Sequence, residues 1–242
     1  MNKTILQQLA PTGVLRVGIN MSNFLLVNSV AENGDPAGVS PSIALALANK
    51  LGVPVRLVPY EGPGDVADAA TLDQWDIANI AAEPERAKTI AFSPAYCEIQ
   101  ATYLLPENSK LDSVESVDAE GVRIAIKARA AFELYLSDHL KHATLNKVES
   151  HDAAFKLFVD NSLEALAGLR PKLIEQQSQL PGSRILDASF TSVKQSIGCR
   201  MNRPEAAQFI DVFVREAIAD GLVQSLIEKH NVTGKLSVAA LS

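Results

Sequence analysis

Between residues 14 and 81, short apolar runs alternate with helix-like stretches, and this alternation most constrains what the chain can fold into. VLRVGI (14–19) is short, apolar and rich in β-branched residues, so it reads as a strand. SPSIALALANKLG (40–52) follows as a helix, with Ser40 at its N-cap, Pro41 at the first helical position and Gly52 placed to end it. VPVRLVPY (53–60) is the next strand, a helix is expected around 65–74, and WDIANIA (75–81) supplies a third strand. A β-α-β-α-β order implies a parallel sheet with right-handed crossovers.

AFSPAYCEIQATYLLPE (91–107) breaks that rhythm with an extended, aromatic-rich stretch. A second series then begins: VRIAI (122–126) as a strand, AAFELYLSDHL (130–140) as a helix, ATLNKVES (143–150) as strand and turn, and DAAFKLFVD (152–160) as a helix. SLEALAG (162–168) and SRILDA (183–188) read as short strands. Two helices finish the chain, 203–220 started by Pro204 and 222–230, with Gly221 as the break between them. The stretches 92–103 and 190–199 read as strand-like links. The organisation is therefore α/β with two lobes: residues 1–98 with 194–242 form a discontinuous first lobe, and 99–193 the second. Two extended links between two lobes imply a hinge over a cleft, a common place for a ligand.

At 242 residues, 47% hydrophobic and 21% charged, the composition is that of a globular protein with a substantial core. The formal net charge is −6 with no basic block, which argues against nucleic acid as a partner. The longest apolar runs fall well short of a membrane span, so no membrane insertion is expected. Cys97 and Cys199 are far apart in sequence and fit a reducing compartment. His139 and His142 in HLKH read as surface histidines rather than a metal pair. The opening MNKTILQQLAPTGVLRV has no long apolar core and no small-residue cleavage site. The expectation is a cytoplasmic protein as the sequence stands, or a periplasmic one if an export signal has been removed.

The order of the segments GVLRVGIN, GVSPSIALALANKLG, WDIANIAAEPERAKTIAFSPAY, GVRIAIKARAAFELYL and FIDVFVREAIADGLVQSLIEKH resembles the family 3 solute-binding proteins of amino-acid ABC transporters. The resemblance runs from Gly13 to about His230, and PERAKTIAFSPAY is its most specific part. It implies a two-lobed type II periplasmic-binding-protein-like fold, each lobe a mixed sheet flanked by helices, joined by two hinge strands. It also implies a small-molecule ligand, and an ABC transporter membrane component as partner if the protein is exported. No cofactor and no metal are implied.

In that family the arginine of a TPER segment binds the ligand's α-carboxylate, and Arg86 falls on its position, just inside an expected Pro-started helix. A guanidinium can grip a carboxylate with two parallel hydrogen bonds. Its alternative is a helix-surface arginine paired with Glu83 or Glu85. Glu83 stands where the family often has a threonine, and reads as a helix cap or a salt-bridge partner of Arg86. In the second lobe, the family's Gly-Thr pair becomes Arg129 and Ala130, which adds a positive charge; alternatively Arg129 is a solvated residue at a helix start. The family's carboxylate for the ligand's ammonium group falls on Leu169, unless the alignment slips toward Glu164. Asn20, Asn23 and Phe24 map to the cleft, with turn-forming and core roles as alternatives. Ser40 and Ser42 replace the family's acids, and Asn79 and Ala81 lie on the strand end that leads to Arg86.

An added arginine and a missing acid fit a small anionic, carboxylate-bearing ligand, other than a standard α-amino acid. The first functional reading is a solute-binding protein that closes its lobes on such a metabolite. The second is an enzyme on the same scaffold, a lyase like cyclohexadienyl dehydratase, with Glu83 or Glu133 as general acid; Glu133 otherwise reads as an exposed helix acid. The third is a cytoplasmic ligand sensor. The sequence has no Ser/His/Asp order, metal cluster or phosphate loop that would mark a catalytic centre.

Overall fold

The structure, a computed structural model, describes residues 3–241. In chain order its first elements are α1 (Lys3–Leu9), β1 (Leu15–Asn20), β2 (Ser29–Val30), β3 (Pro36–Ala37), α2 (Val39–Leu51), β4 (Val55–Tyr60) and α3 (Pro63–Asp68). Then come β5 (Ile77–Ala81), β6 (Ile90–Leu105), β7 (Arg123–Lys127), α4 (Ala131–His139), β8 (Thr144–Val148) and α5 (His151–Asp160). The chain ends with β9 (Ala165–Leu169), α6 (Arg170–Gln177), β10 (Arg184–Ile185), β11 (Thr191–Arg200), α7 (Pro204–Ala219), α8 (Leu222–Lys229) and β12 (Ser237–Val238). It divides into two compact units, Met1–Glu98 with Lys194–Ser242, and Ile99–Val193. Strands β6 and β11 each run from one unit into the other.

In the first unit β4, β1 and β5 lie side by side and parallel, and β11 adds antiparallel to β5. Leu15, Val17 and Ile19 of β1 and all five residues of β5 are buried, as expected of parallel strands covered on both faces. Helix α2 buries Ile43, Ala44, Leu47 and Leu51 on one stripe. Trp75 fills the space under β1; its indole N–H donates to the Val66 carbonyl at 3.0 Å, and its ring lies against Gly18, where a Cβ would come within 3.1 Å. Losing such a ring would cost roughly 3–5 kcal/mol.

The second unit repeats the plan. β8, β7 and β9 are parallel, and β6 adds antiparallel to β9. Ala154 and Phe158 of α5 pack with Leu104, Ala125, Leu166 and Leu173 to form its core.

Several sequence expectations shift. Gly52 ends α2 in a left-handed conformation with φ 71°, as expected, but the N-cap is Gly38 and not Ser40. Gly38 has φ 150°, and a Cβ there would lie 2.2 Å from the Leu26 carbonyl oxygen, so the chain enters α2 two residues earlier, through a position only glycine fits, and Pro41 is its third residue and not its first. The helix expected around 65–74 is α3 followed by a single 3-10 turn, Ala69–Thr71. Helices α1 and α6 were not anticipated; α6 is mostly polar and begins Arg170-Pro171, a weak periodic signal.

Candidate functional site

The parallel strands of the first unit end at Tyr60, Asn20 and Ala81, and those of the second at Val148, Lys127 and Leu169. In open α/β sheets these carboxyl ends are where ligands bind. The residues singled out in the sequence fall at or just beyond them.

In the first unit, Arg86 does not sit inside a helix begun by Pro84. It opens a one-turn 3-10 helix, Arg86–Lys88, after a turn through Pro84 and Glu85. Nor is it a surface arginine: it is 5% exposed, while Glu85, Ala87 and Lys88 around it are exposed. Its Nη1 donates to the Ala81 carbonyl at 2.9 Å, which ties the guanidinium to the end of β5. Glu85 pairs with Lys88 instead. Glu83 is half-buried, and its carbonyl accepts the Ala87 N–H at 2.9 Å, which closes the turn that carries Arg86.

Asn20 and Asn23 both shape the loop after β1. Asn20 Oδ1 accepts from the Ser22 N–H and hydroxyl at 3.1 and 2.8 Å, and Asn23 Oδ1 accepts from the Leu25 N–H at 3.3 Å. Phe24, which follows Asn23, is partly exposed and not a core residue. Asn79 donates to the Ser40 carbonyl at 2.9 Å, linking β5 to α2. Ser40 Oγ, Asn79 Oδ1 and Tyr96 OH are buried without a hydrogen-bond partner among the described residues. Burial, and then the neighbouring Cys97, push the Tyr96 hydroxyl well above its ordinary pKa. Ser42 turns away from this group and meets His230 Nε2 at 2.8 Å.

In the second unit, Arg129 is exposed and takes a left-handed backbone with φ 60°. The conformation agrees with its alignment on a glycine, the residue that adopts it without strain. Its N–H donates to Glu133 Oε2 at 2.8 Å. Ala130 is the N-cap of α4 and offers no side-chain cap. Glu133 is not the exposed acid expected from sequence. It is 3% exposed and also accepts from Ser137 Oγ and Lys147 Nζ, both at 2.6 Å. Burial alone would raise its pKa, but Lys147, Ser137 and the Arg129 N–H outweigh that and hold the carboxyl below its ordinary value. Leu169 ends β9 with its side chain buried. Glu164 lies at the opposite end of β9. It precedes β9, about 16 Å of extended chain away, and is held by Arg123 at 2.9 Å.

Sequence reading passed over Lys127 and His151. Lys127 ends the apolar strand β7 and is only 7% exposed, so its pattern looked like the close of a hydrophobic run. His151 opens α5 and stacks on Phe132 with ring centroids 6.0 Å apart. Burial first, then the charges of Lys127 and Lys172, push its imidazole down to about 4. Cys97 and Cys199 are buried free thiols; burial raises both, Cys199 to about 11, so neither is a reactive thiolate. His139 and His142 are exposed, and among the described residues no three His, Cys, Asp or Glu side chains gather as a metal site needs. No described helix is long and apolar enough to cross a membrane.

The fold matches solved solute-binding proteins. An ancestral amino acid-binding protein, described as a precursor of cyclohexadienyl dehydratase, superposes with TM-score 0.74 at 24% identity, over 93% of this chain and 98% of that one. An amino-acid ABC transporter substrate-binding protein of Streptococcus pneumoniae bound to L-arginine gives 0.74 at 18% identity, over 93% and 97%. A binding component of an ABC transporter of Wolinella succinogenes complexed with lysine gives 0.75 at 19%, over 93% and 98%. At these identities the likeness is one of fold, the two-lobed type II periplasmic-binding-protein fold. No curated protein sequence matches. The family profile matches residues 15–233, nearly the whole chain, and the protein belongs to the bacterial extracellular solute-binding proteins, family 3.

Proposed function

We propose that this solute-binding protein takes a small carboxylate-bearing metabolite without an obligatory α-ammonium group, with Arg86 as the anchor from the first unit and Arg129 as its counterpart in the second. The observation that carries the reading is the burial of Arg86 at the carboxyl end of the parallel strands, within the family's most specific segment. A desolvated guanidinium makes strong charge-assisted bonds to a carboxylate. Leu169, where an acid for an ammonium would stand, supports the second half of the reading, because Glu164 is committed to Arg123. Exported, the protein would hand this ligand to the membrane component of an ABC transporter; cell fractionation decides whether it works there or as a cytoplasmic sensor.

A basic α-amino acid is the second reading, favoured by the solved structures that hold L-arginine and lysine. Turnover is a weaker reading, since Glu133 is held ionised by Lys147 and is ill-suited as a general acid.

The test is a thermal-shift panel of L-arginine, L-lysine, pyruvate, 2-oxoglutarate, succinate and phenylpyruvate, followed by calorimetry of any hit. A ligand well above its Kd raises the melting temperature by mass action. The expected hit lacks an amine, and Arg86→Ala should weaken it by a few kcal/mol, roughly 2–5 for a desolvated charge pair. A response confined to α-amino acids, or wild-type affinity in Arg86→Ala, would sink the proposal.

A further inference from the structure

A basic cleft lies in the first unit beside the turn that carries Arg86, with Lys88 and Thr89 of that turn on one wall. It has a volume of about 350 Å³, and Thr71, Lys88, Thr89, Arg200, Asn202 and Arg203 line it. Its arginines come from the far end of β11: Gln195 pairs with Ala81 at the ligand end, whereas Cys199, beside Arg200, pairs with Ile77. Those two levels are about 13 Å apart along the strand. Past Arg200 the chain turns through Asn202 at φ 65° and enters α7, whose N-cap is Arg203; the Ala206 N–H in its first turn donates to Gln8 Oε1 at 3.0 Å. A cation at a helix N-terminus is opposed by the helix dipole.

The charges behind the cleft do not balance. Arg16, Arg200 and Arg203 share two acids, Asp73 and Asp76. Arg16 takes both oxygens of Asp76 at 2.9 Å, which leaves Arg203 at 3.6 Å from the same carboxylate. Arg200 holds Asp73 at 2.6 Å, yet its Nε is buried with no hydrogen-bond partner among the described residues. Burial and then repulsion from Arg200 make the charged form of Arg203 less favourable than usual. Lys88, on the cleft's other wall, has its own acid in Glu85. Among the ion pairs described for this cluster one positive charge is thus in excess at an open cleft, in a chain whose net charge is −6.

We propose that this cleft is a binding site for a small oxyanion, held by Arg200 and Arg203 and by the Thr71 and Thr89 hydroxyls. An anion there balances the third arginine by charge-assisted bonds to the guanidinium edges that face the cleft. The site shares the Arg86 turn through Lys88 and Thr89 but takes its two arginines from the far end of β11 and the start of α7.

Calorimetric titration of the whole protein with inorganic phosphate in low-salt buffer tests this. Saturable binding is expected with a Kd below about 1 mM. Arg203→Gln should weaken it about tenfold or more. Asn202→Asp should do the same: it adds an acid at the cleft, leaves every ion pair in place and suits the left-handed turn, so it serves if Arg203→Gln fails to fold. Arg86→Ala should leave phosphate binding unchanged. Absence of saturable binding up to about 10 mM overturns the proposal. So does phosphate binding that survives Asn202→Asp, or that depends on Arg86 and not on the cleft; failure here leaves the carboxylate reading of Arg86 untouched.

Discussion

The two units contain the same arginine clamp, buried in one and exposed in the other. In the first unit Arg16, near the start of β1, binds Asp76, the residue before β5, through its main-chain N–H at 3.0 Å and through Nε and Nη2 at 2.9 Å. In the second, Arg123 at the start of β7 binds Glu164, the residue before β9, through its N–H at 2.8 Å, Nε at 3.0 Å and Nη2 at 2.9 Å. The acid's own N–H returns a bond to the arginine carbonyl in both cases. Strand registers agree too, since Val17 faces Ile77 as Ile124 faces Ala165. Each clamp fixes the start of the first parallel strand against that of the third. The surroundings differ: the Asp76 side chain is wholly buried, with Arg203 as a further neighbour, whereas that of Glu164 is 36% exposed. The same hydrogen bonds therefore carry different energetic weight, because removing one member of a desolvated pair strands a charge and removing one from a solvated pair does not.

The comparison breaks most visibly by removing each acid's charge while keeping its shape. Asp76→Asn should destabilise the protein by roughly 3–5 kcal/mol. Glu164→Gln should move the urea midpoint by only a small fraction of that shift. Equal shifts in the two variants would mean that burial is not what separates the clamps.

The clamps also mark what was legible in the sequence. Alternating strands and helices and the two long linking strands were legible because local pattern carries them. The clamps were not, because Arg16 and Asp76 lie 60 residues apart and meet only through sheet register. Glu133 was misread for a related reason: the first turn of a helix shows an acid whether it faces solvent or, as here, Ser137 and Lys147. Ser40 was misplaced because Gly38 already enters α2, at a backbone angle no propensity scale reads.

At the other end of the same strands the units diverge in chemistry. By the shared register β1 ends at Asn20, held in its own turn, and β7 ends at the buried Lys127 beside His151. The imidazole of His151 sits at about 4 in the folded chain, against about 6.5 when unfolded, so the unfolded state binds the extra proton between those values. The stability this contributes is complete above about pH 6.5 and is lost as pH falls toward 4, a change of up to about 3 kcal/mol. Melting curves of wild type and His151→Gln over that range check it: the variant should lose most of the slope. Lys127→Met should raise the His151 pKa, readable by NMR; no change would leave burial and Lys172 as what depresses it.

The smallest effect separates strain from function at Arg129. Its left-handed backbone costs about 1 kcal/mol in a residue with a Cβ, and glycine adopts it freely. Arg129→Gly keeps the main-chain N–H that Glu133 accepts, so the start of α4 survives the change. It also gives the unfolded chain more freedom, which offsets part of the gain. The expected result is a stability gain of roughly 0.5 kcal/mol, paired with weaker binding of whichever acid the thermal-shift panel identifies. A stability gain with unchanged binding would make Arg129 a strained surface residue and leave Arg86 as the only arginine anchor. Loss of stability would show that the contacts of its guanidinium outweigh the strain, which would make this arginine structural like Arg16 and remove the reason to assign it to the ligand.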